Sequence, residues 1–185
     1  MKYYTTKGDE GTTRLFNCPL GTRVSKKDGI FEVLGGVDEL NCFVGWCRAV
    51  ASRSDFCHTE RATFLTTLST LQEDLFIIQA ELGGGAKRLS ATKLQRLEKT
   101  IAYFSSQFPA ITSFIVPGAT ELSALLDVSR TVARRVERLF VREKDLFGLT
   151  NTVLGAYLNR ISSLLYVLAR YANHANGEVE TTPSY

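Results

Sequence analysis

The stretch Thr120-Glu-Leu-Ser-Ala-Leu-Leu-Asp-Val-Ser-Arg130-Thr-Val-Ala-Arg134-Arg135-Val-Glu137-Arg138-Leu-Phe140-Val-Arg-Glu-Lys144 carries two periodicities at once. Leu122, Leu125, Leu126, Ser129, Val132, Ala133, Val136, Leu139 and Phe140 recur at the three/four spacing of a buried helix face. Arg130, Arg134 and Glu137 obey the same spacing and form a second, charged stripe, because residues three and four apart share a face. The stretch predicts a long amphipathic helix with Thr120 as its N-cap. Two guanidiniums and a carboxylate in line also suit a polyphosphate, since each guanidinium is a planar fork of donors matched to phosphate oxygens. A solvated face laced with ion pairs is the plainer reading of the same stripe.

Outward from this helix, the helical period continues on both sides. A first helix is expected from about Val37 to Ser52, with Asp38 and Glu39 in its first turn, where the helix dipole favours carboxylates. A second covers about Thr59 to Leu82 and ends at Gly83-Gly84-Gly85. A third spans about Ala91 to Phe108, with Ser90 as N-cap and Pro109 as terminator. The fifth runs from about Asn151 to Asn173. Residues 1–35 lack periodicity and read as loops around one or two short extended pieces, and Gly177 and Pro183 mark a loose tail over 176–185. The expected fold is all-α, a single domain built as a five-helix up-and-down bundle over 36–175 with a non-helical N-terminal arm.

Composition bounds the function. The 185 residues, 44% hydrophobic and 22% charged, describe one ordinary globular domain. A net charge of +3 is too mild and too dispersed to argue for nucleic acid. No run of about 18 apolar residues predicts a membrane span. The N-terminus has neither an apolar signal core nor an Arg-rich presequence, so the expected location is cytoplasmic, or the mitochondrial matrix if a presequence was removed. Cys18, Cys42, Cys47 and Cys57 form no CxxC pair, and the two histidines, His58 and His174, supply no zinc spacing. No protein metal site is expected, and Cys42 and Cys47 read as small buried hydrophobes.

Neither a P-loop nor a Rossmann turn is present. Thr5-Thr6-Lys7-Gly8-Asp9-Glu10-Gly11-Thr12-Thr13-Arg14 nevertheless has the chemistry of a phosphate cradle. Glycines let backbone N–H groups approach a ligand, and threonine hydroxyls add donors. A plain polar loop is the alternative. On the fifth helix Asn159, Ser163, Tyr166 and Arg170 form a polar stripe, either a solvent face or a subunit or ligand face. Asp38 either caps its own helix or pairs with an arginine of the fourth. Phe114, in a loop before Pro117-Gly118, either plugs the core or faces a ligand.

Seven segments, in this order, resemble the PduO-type ATP:cob(I)alamin adenosyltransferases. They are Tyr4–Thr13, Arg23–Lys26, Gly35–Asn41, Leu71–Phe76, Phe114–Leu122, Arg130–Arg138 and Tyr157–Tyr171. The resemblance implies an enzyme that moves the 5′-deoxyadenosyl group of ATP to the cobalt of cob(I)alamin, with Mg²⁺ accompanying ATP, and a homotrimer with active sites between subunits. It places Thr5, Thr6, Lys7, Gly8, Thr13 and Arg14 along the nucleotide and Lys26 at its phosphates. It adds Arg134, Arg135, Glu137 and Arg138 from the fourth helix and Asn159 from the fifth. Asp38 and Arg130 match a pair bridging subunits beside the corrin, and Phe114 matches the residue that excludes a lower cobalt ligand. A reductase and an adenosylcobalamin-dependent acceptor enzyme are implied partners. Ser163 stands where the family has Asp, and Gly36 where it has Thr. A non-catalytic bundle that delivers or senses adenosylcobalamin, and a bundle with no ligand at all, remain the alternatives.

Overall fold

The computed structural model describes residues 2–54 and 58–185; Cys57 lies outside them. Among the described residues, five helices follow an arm. The arm holds one 3-10 turn, Thr6–Gly8, and a two-residue antiparallel pair, β1 (Thr12–Thr13) against β2 (Val24–Ser25). The helices are α1 (Gly29–Ala51), α2 (His58–Leu82), α3 (Ala91–Ser105), α4 (Glu121–Glu143) and α5 (Thr152–Ala175). The predicted five-helix bundle with a non-helical arm is the architecture observed. Packing runs α2–α1–α4–α5–α3. Side chains close the far edge: Phe64 of α2 stacks on Tyr171 of α5, and both meet the edge of Phe104 of α3.

Helix α1 starts eight residues earlier than its sequence predicts. Ile30, Val33, Val37, Leu40 and Val44 form one continuous buried stripe, but Gly29, Gly35 and Gly36 disguise its first turns as loop. Tertiary contacts explain two of those glycines. A Cβ on Gly29 would fall 2.1 Å from a carboxylate oxygen of Glu143, and one on Gly36 would lie 3.0 Å from Val136 Cγ2. Asp38 and Glu39 are consequently three turns into the helix and cap nothing; Glu32 is the first-turn acid. We expect Gly36→Val to cost about 1–3 kcal/mol by overpacking the α1–α4 contact, read as a lower urea midpoint at unchanged slope. An unchanged midpoint would contradict the close approach.

Helix α4 begins as predicted: the Thr120 side chain accepts from the Ser123 amide, and the Thr120 amide donates to Ser123 Oγ. Helix α3 ends three residues early, at Ser105, and Ser90 occupies its N-cap without a side-chain bond. One helix, α5, is after all long and apolar enough to cross a membrane by composition, with half of its most apolar window buried. Its buried side chains, from Leu154 through Leu158, Ile161, Leu165 and Leu168, belong to the bundle's own core. Each fully buried aliphatic or aromatic side chain contributes about 1.5–3 kcal/mol. The tail is tied down rather than loose, as Glu180 pairs with Arg170 and the Thr181 carbonyl accepts from the Val116 amide at 2.9 Å. Of the cysteines, Cys47 is buried but Cys42 is exposed, because Cys42, two residues from both Leu40 and Val44, falls on the opposite face of α1. Burial, opposed by a bond with Ser129, pushes the Cys47 thiol up to about 11.

Where α2, α3 and α5 meet, Asp74 of α2 is almost fully buried. It accepts from Tyr157 Oη at 2.6 Å and pairs with Lys93 Nζ at 2.5 Å and Arg96 Nη2 at 2.7 Å. Burial first, and the bond to this carboxylate second, push the Tyr157 phenol upward.

Candidate functional site

The arm is a braced structure that ends on the bundle. Arg23 clasps Thr12 twice, through Nε to Oγ1 and Nη2 to the carbonyl, both at 2.7 Å. Lys26 donates from Nζ to the Gly8 carbonyl at 3.0 Å, and its backbone N–H donates to Gly11. Gly11 takes φ +74°, the left-handed region that glycine tolerates best. Thr5, Thr6 and Lys7 stay exposed around the 3-10 turn, Gly8 and Thr13 are half-buried, and Lys26 is exposed. The sequence segment read as a phosphate cradle is therefore an open, cation-flanked loop. The arm seats on the end of α2, where the Phe16 amide donates to Gly83. A Cβ on Gly84 would overlap the Asn17 side chain. Arg14 is turned to the Cys18 carbonyl and lines a mainly apolar cleft of about 420 Å³ with Phe16, Phe31, Leu34 and Phe76. It does not join Lys26.

The charged stripe of α4 separates into spent and unspent groups. Arg135 pairs with Glu39 of α1 at 2.5 Å. Glu137 accepts from Asn159 of α5 at 2.7 Å, so it orients that amide and not the arginines. Asn159 in turn accepts from Arg160, which pairs with Glu98 of α3. Arg134 and Arg138 are exposed and make no salt bridge among the described residues. Two guanidiniums thus lie open, with paired charges to either side.

Asp38 and Arg130 do not meet within one chain. Asp38 accepts from Gln79 of α2 at 3.2 Å, while Arg130 Nε is held by Asp127, three residues earlier, at 3.2 Å. Phe114 is 79% exposed on the loop between α3 and α4 and plugs no core. Ser163 is exposed. The polar stripe expected along α5 breaks in two. Asn159 and Ser163 are open, whereas Arg170 is 2% exposed, lies over the Tyr166 ring and pairs with Asp127 and Glu180. Sequence reading singles out neither Glu39 nor Gln79 as partners here, although Glu39 adjoins Asp38 and Gln79 lies one turn before the triple glycine.

The arm and the open cations of α4 share no hydrogen bond or ion pair within one chain, among the described residues. Chemically, the two sets of groups offer positive charge and N–H and O–H donors, the chemistry that suits an anion. Among the described residues no group of three His, Cys, Asp or Glu could hold a metal.

The family model for cobalamin adenosyltransferase matches residues 3–172. A cobalamin adenosyltransferase of Cupriavidus metallidurans is 36% identical over 177 residues, 95% of this chain and 90% of that protein. A corrinoid adenosyltransferase of Mycobacterium leprae is 33% identical over 187 residues, 95% and 93% of the two chains. A solved variant of the PduO-type ATP:corrinoid adenosyltransferase from Lactobacillus reuteri, complexed with cobalamin and ATP, matches 100% of both chains. Its TM-score is 0.87 at 27% identity.

Proposed function

The chain belongs to the cobalamin adenosyltransferase family, and from that premise we propose how its own residues carry the reaction. It is an ATP:corrinoid adenosyltransferase, which moves the 5′-deoxyadenosyl group of ATP to the cobalt of cob(I)alamin and leaves adenosylcobalamin and triphosphate. Cobalt(I) supplies the electron pair for the new cobalt–carbon bond at C5′. The C5′–oxygen bond breaks, and its electron pair leaves with triphosphate. The nucleophile belongs to the substrate, so no serine, cysteine or histidine need be activated.

What remains for the protein is alignment and charge. Reacting atoms must be held in line, and donors must face the oxygens on which charge develops. The open pair Arg134 and Arg138 is the observation that carries this reading. We assign these guanidiniums and Lys26 to the triphosphate, with Thr5, Thr6, Lys7, Gly8 and Thr13 of the arm around the nucleotide. Glu137 and Asn159, already bonded to each other, present a fixed acceptor and donor for the ribose side. Arg135 is better placed to lock α4 to α1 through Glu39, and Arg14 to hold the arm's own turn. A magnesium ion fits this donor set as a companion of the phosphate oxygens and threonine hydroxyls rather than of protein carboxylates. It would add positive charge at the leaving group.

We further propose that the working form is a homotrimer with the site between adjacent copies. Asp38 and Arg130 each have an intrachain partner that a copy could exchange, and the arm of one copy would complete the α4 face of the next. Incubation with ATP, Mg²⁺ and anaerobically reduced cobalamin should give the cobalt–carbon product; its absence would remove the assignment. Phe114→Ala should slow formation of the reduced cobalt species far more than it weakens ATP binding, because so exposed a ring contributes little to the fold. Equal losses of both would count against Phe114 as the wall beneath the corrin.

A further inference from the structure

A line of buried and half-buried polar groups runs along the seam between α4 and α5. Thr120, Ser123, Asp127 and Arg130 are spaced three and four apart and share one face of α4. From the other side, Thr120 Oγ1 donates to Asn173 Oδ1 at 3.0 Å, and Asn173 Nδ2 donates to Glu180 Oε1 at 2.6 Å. Arg170 Nη1 meets the same Glu180 oxygen at 2.9 Å, and its Nη2 reaches Asp127 Oδ2 at 2.5 Å. The other oxygen of Asp127 holds Arg130. Asp127, Arg170 and Asn173 are all buried. One residue beyond Glu180, the Thr181 carbonyl holds the Val116 amide, two residues from Phe114.

We propose that Arg170 and Glu180 are positioning residues for the corrin side of the transfer. One buried guanidinium, divided between Asp127 and Glu180, sets Arg130 on α4 and anchors the tail that holds the Phe114 loop. This rests on the reading of Arg130 and Phe114 given above. The chemistry suits the task. A guanidinium can bond two carboxylates at once through its planar fork, which an ammonium cannot do in the same geometry. A buried charge whose partner is removed is strongly unfavourable, so a change at one end is felt at the other. Among the described residues Arg170 Nε has no hydrogen-bond partner, so its two ends hold it. A cavity of about 330 Å³ lies between the loop and the tail, lined by Ile111, Ile115, Arg170, His174 and Glu180 among others. The loop therefore has space to shift once the tail is released.

The test compares the unaltered chain with Glu180→Gln, which keeps the amide-to-oxygen bond from Asn173 and removes the charge. The KM for cob(I)alamin should rise about tenfold, as for loss of one charge-assisted bond, with the KM for ATP unchanged. Exchange of the Val116 amide should quicken by a similar factor. Arg170→Lys, which keeps the charge and loses the fork, should show the same split between the two substrates. Unchanged cobalamin KM and Val116 exchange in both variants would overturn the proposal, as would equal losses for ATP and cobalamin. Absence of turnover in the unaltered protein would sink the functional reading, while Val116 exchange would still report whether the tail anchors the loop.

Discussion

Arg134→Ala is expected to lower the rate of adenosyl transfer by on the order of 10²-fold or more, the scale on which losing one preorganised charge donor acts. The expectation follows from what Arg134 does not do in the fold. It is exposed and makes no salt bridge among the described residues, so its removal should leave stability within about 0.5 kcal/mol. Its neighbours behave differently: Arg135 is engaged with Glu39, and Glu137 with Asn159. A loss in kcat at unchanged melting temperature would place Arg134 on the charge that develops as triphosphate leaves. A rise in the KM for ATP alone would mean that it binds ground and transition states equally. A falling melting temperature would assign it to the scaffold. Anaerobic steady-state kinetics together with a thermal melt separate the three outcomes.

Asp74→Ala is expected to cost about 1–3 kcal/mol of stability, the range for leaving a buried donor without its acceptor, because the cations it leaves behind, Lys93 and Arg96, still reach water. Three groups converge on that carboxylate from two other helices, and all would lose their acceptor: Tyr157 Oη, Lys93 Nζ and Arg96 Nη2. Tyr157 is itself buried and could not recover the bond from water. For a chain of this size the melting temperature should drop by roughly 5 °C. Tyr157→Phe, which removes only the phenol, should cost less. If Asp74→Ala melts like the unaltered protein, the cluster is not what joins α2 to α3 and α5.

Where the apolar period is strong and the caps are local, sequence and structure agree closely. The Thr120–Ser123 box starts α4, Asn151 starts α5, and the triple glycine ends α2. Disagreement arises where long-range contacts set the outcome. Gly29 and Gly36 look like loop residues because nothing nearby in the chain shows that Glu143 and Val136 occupy the space of their missing Cβ atoms. Arg170 has the spacing of an open stripe, yet Asp127, 43 residues away, and Glu180 in the tail enclose it. Spacing along one helix could not have separated Arg170 from Asn159. Much of the candidate site could be read from residue type, since the guanidinium fork and the glycine-threonine arm announce anion chemistry. The pairing of Glu39 with Arg135 and of Gln79 with Asp38 depends on how α1 lies against α4 and α2, which periodicity does not specify.

In the proposed reaction, the triphosphate of ATP is gripped between Lys26 with the glycine-threonine arm and the open guanidiniums of α4. A crystal structure of the assembled protein soaked with ATP and Mg²⁺ tests it most directly. Phosphate oxygens should then lie about 2.7–2.9 Å from Arg134 and Lys26 nitrogens, the distance of charge-assisted bonds. Triphosphate bound elsewhere, with the arm and Arg134 bridged by no ligand in any pair of copies, would contradict it.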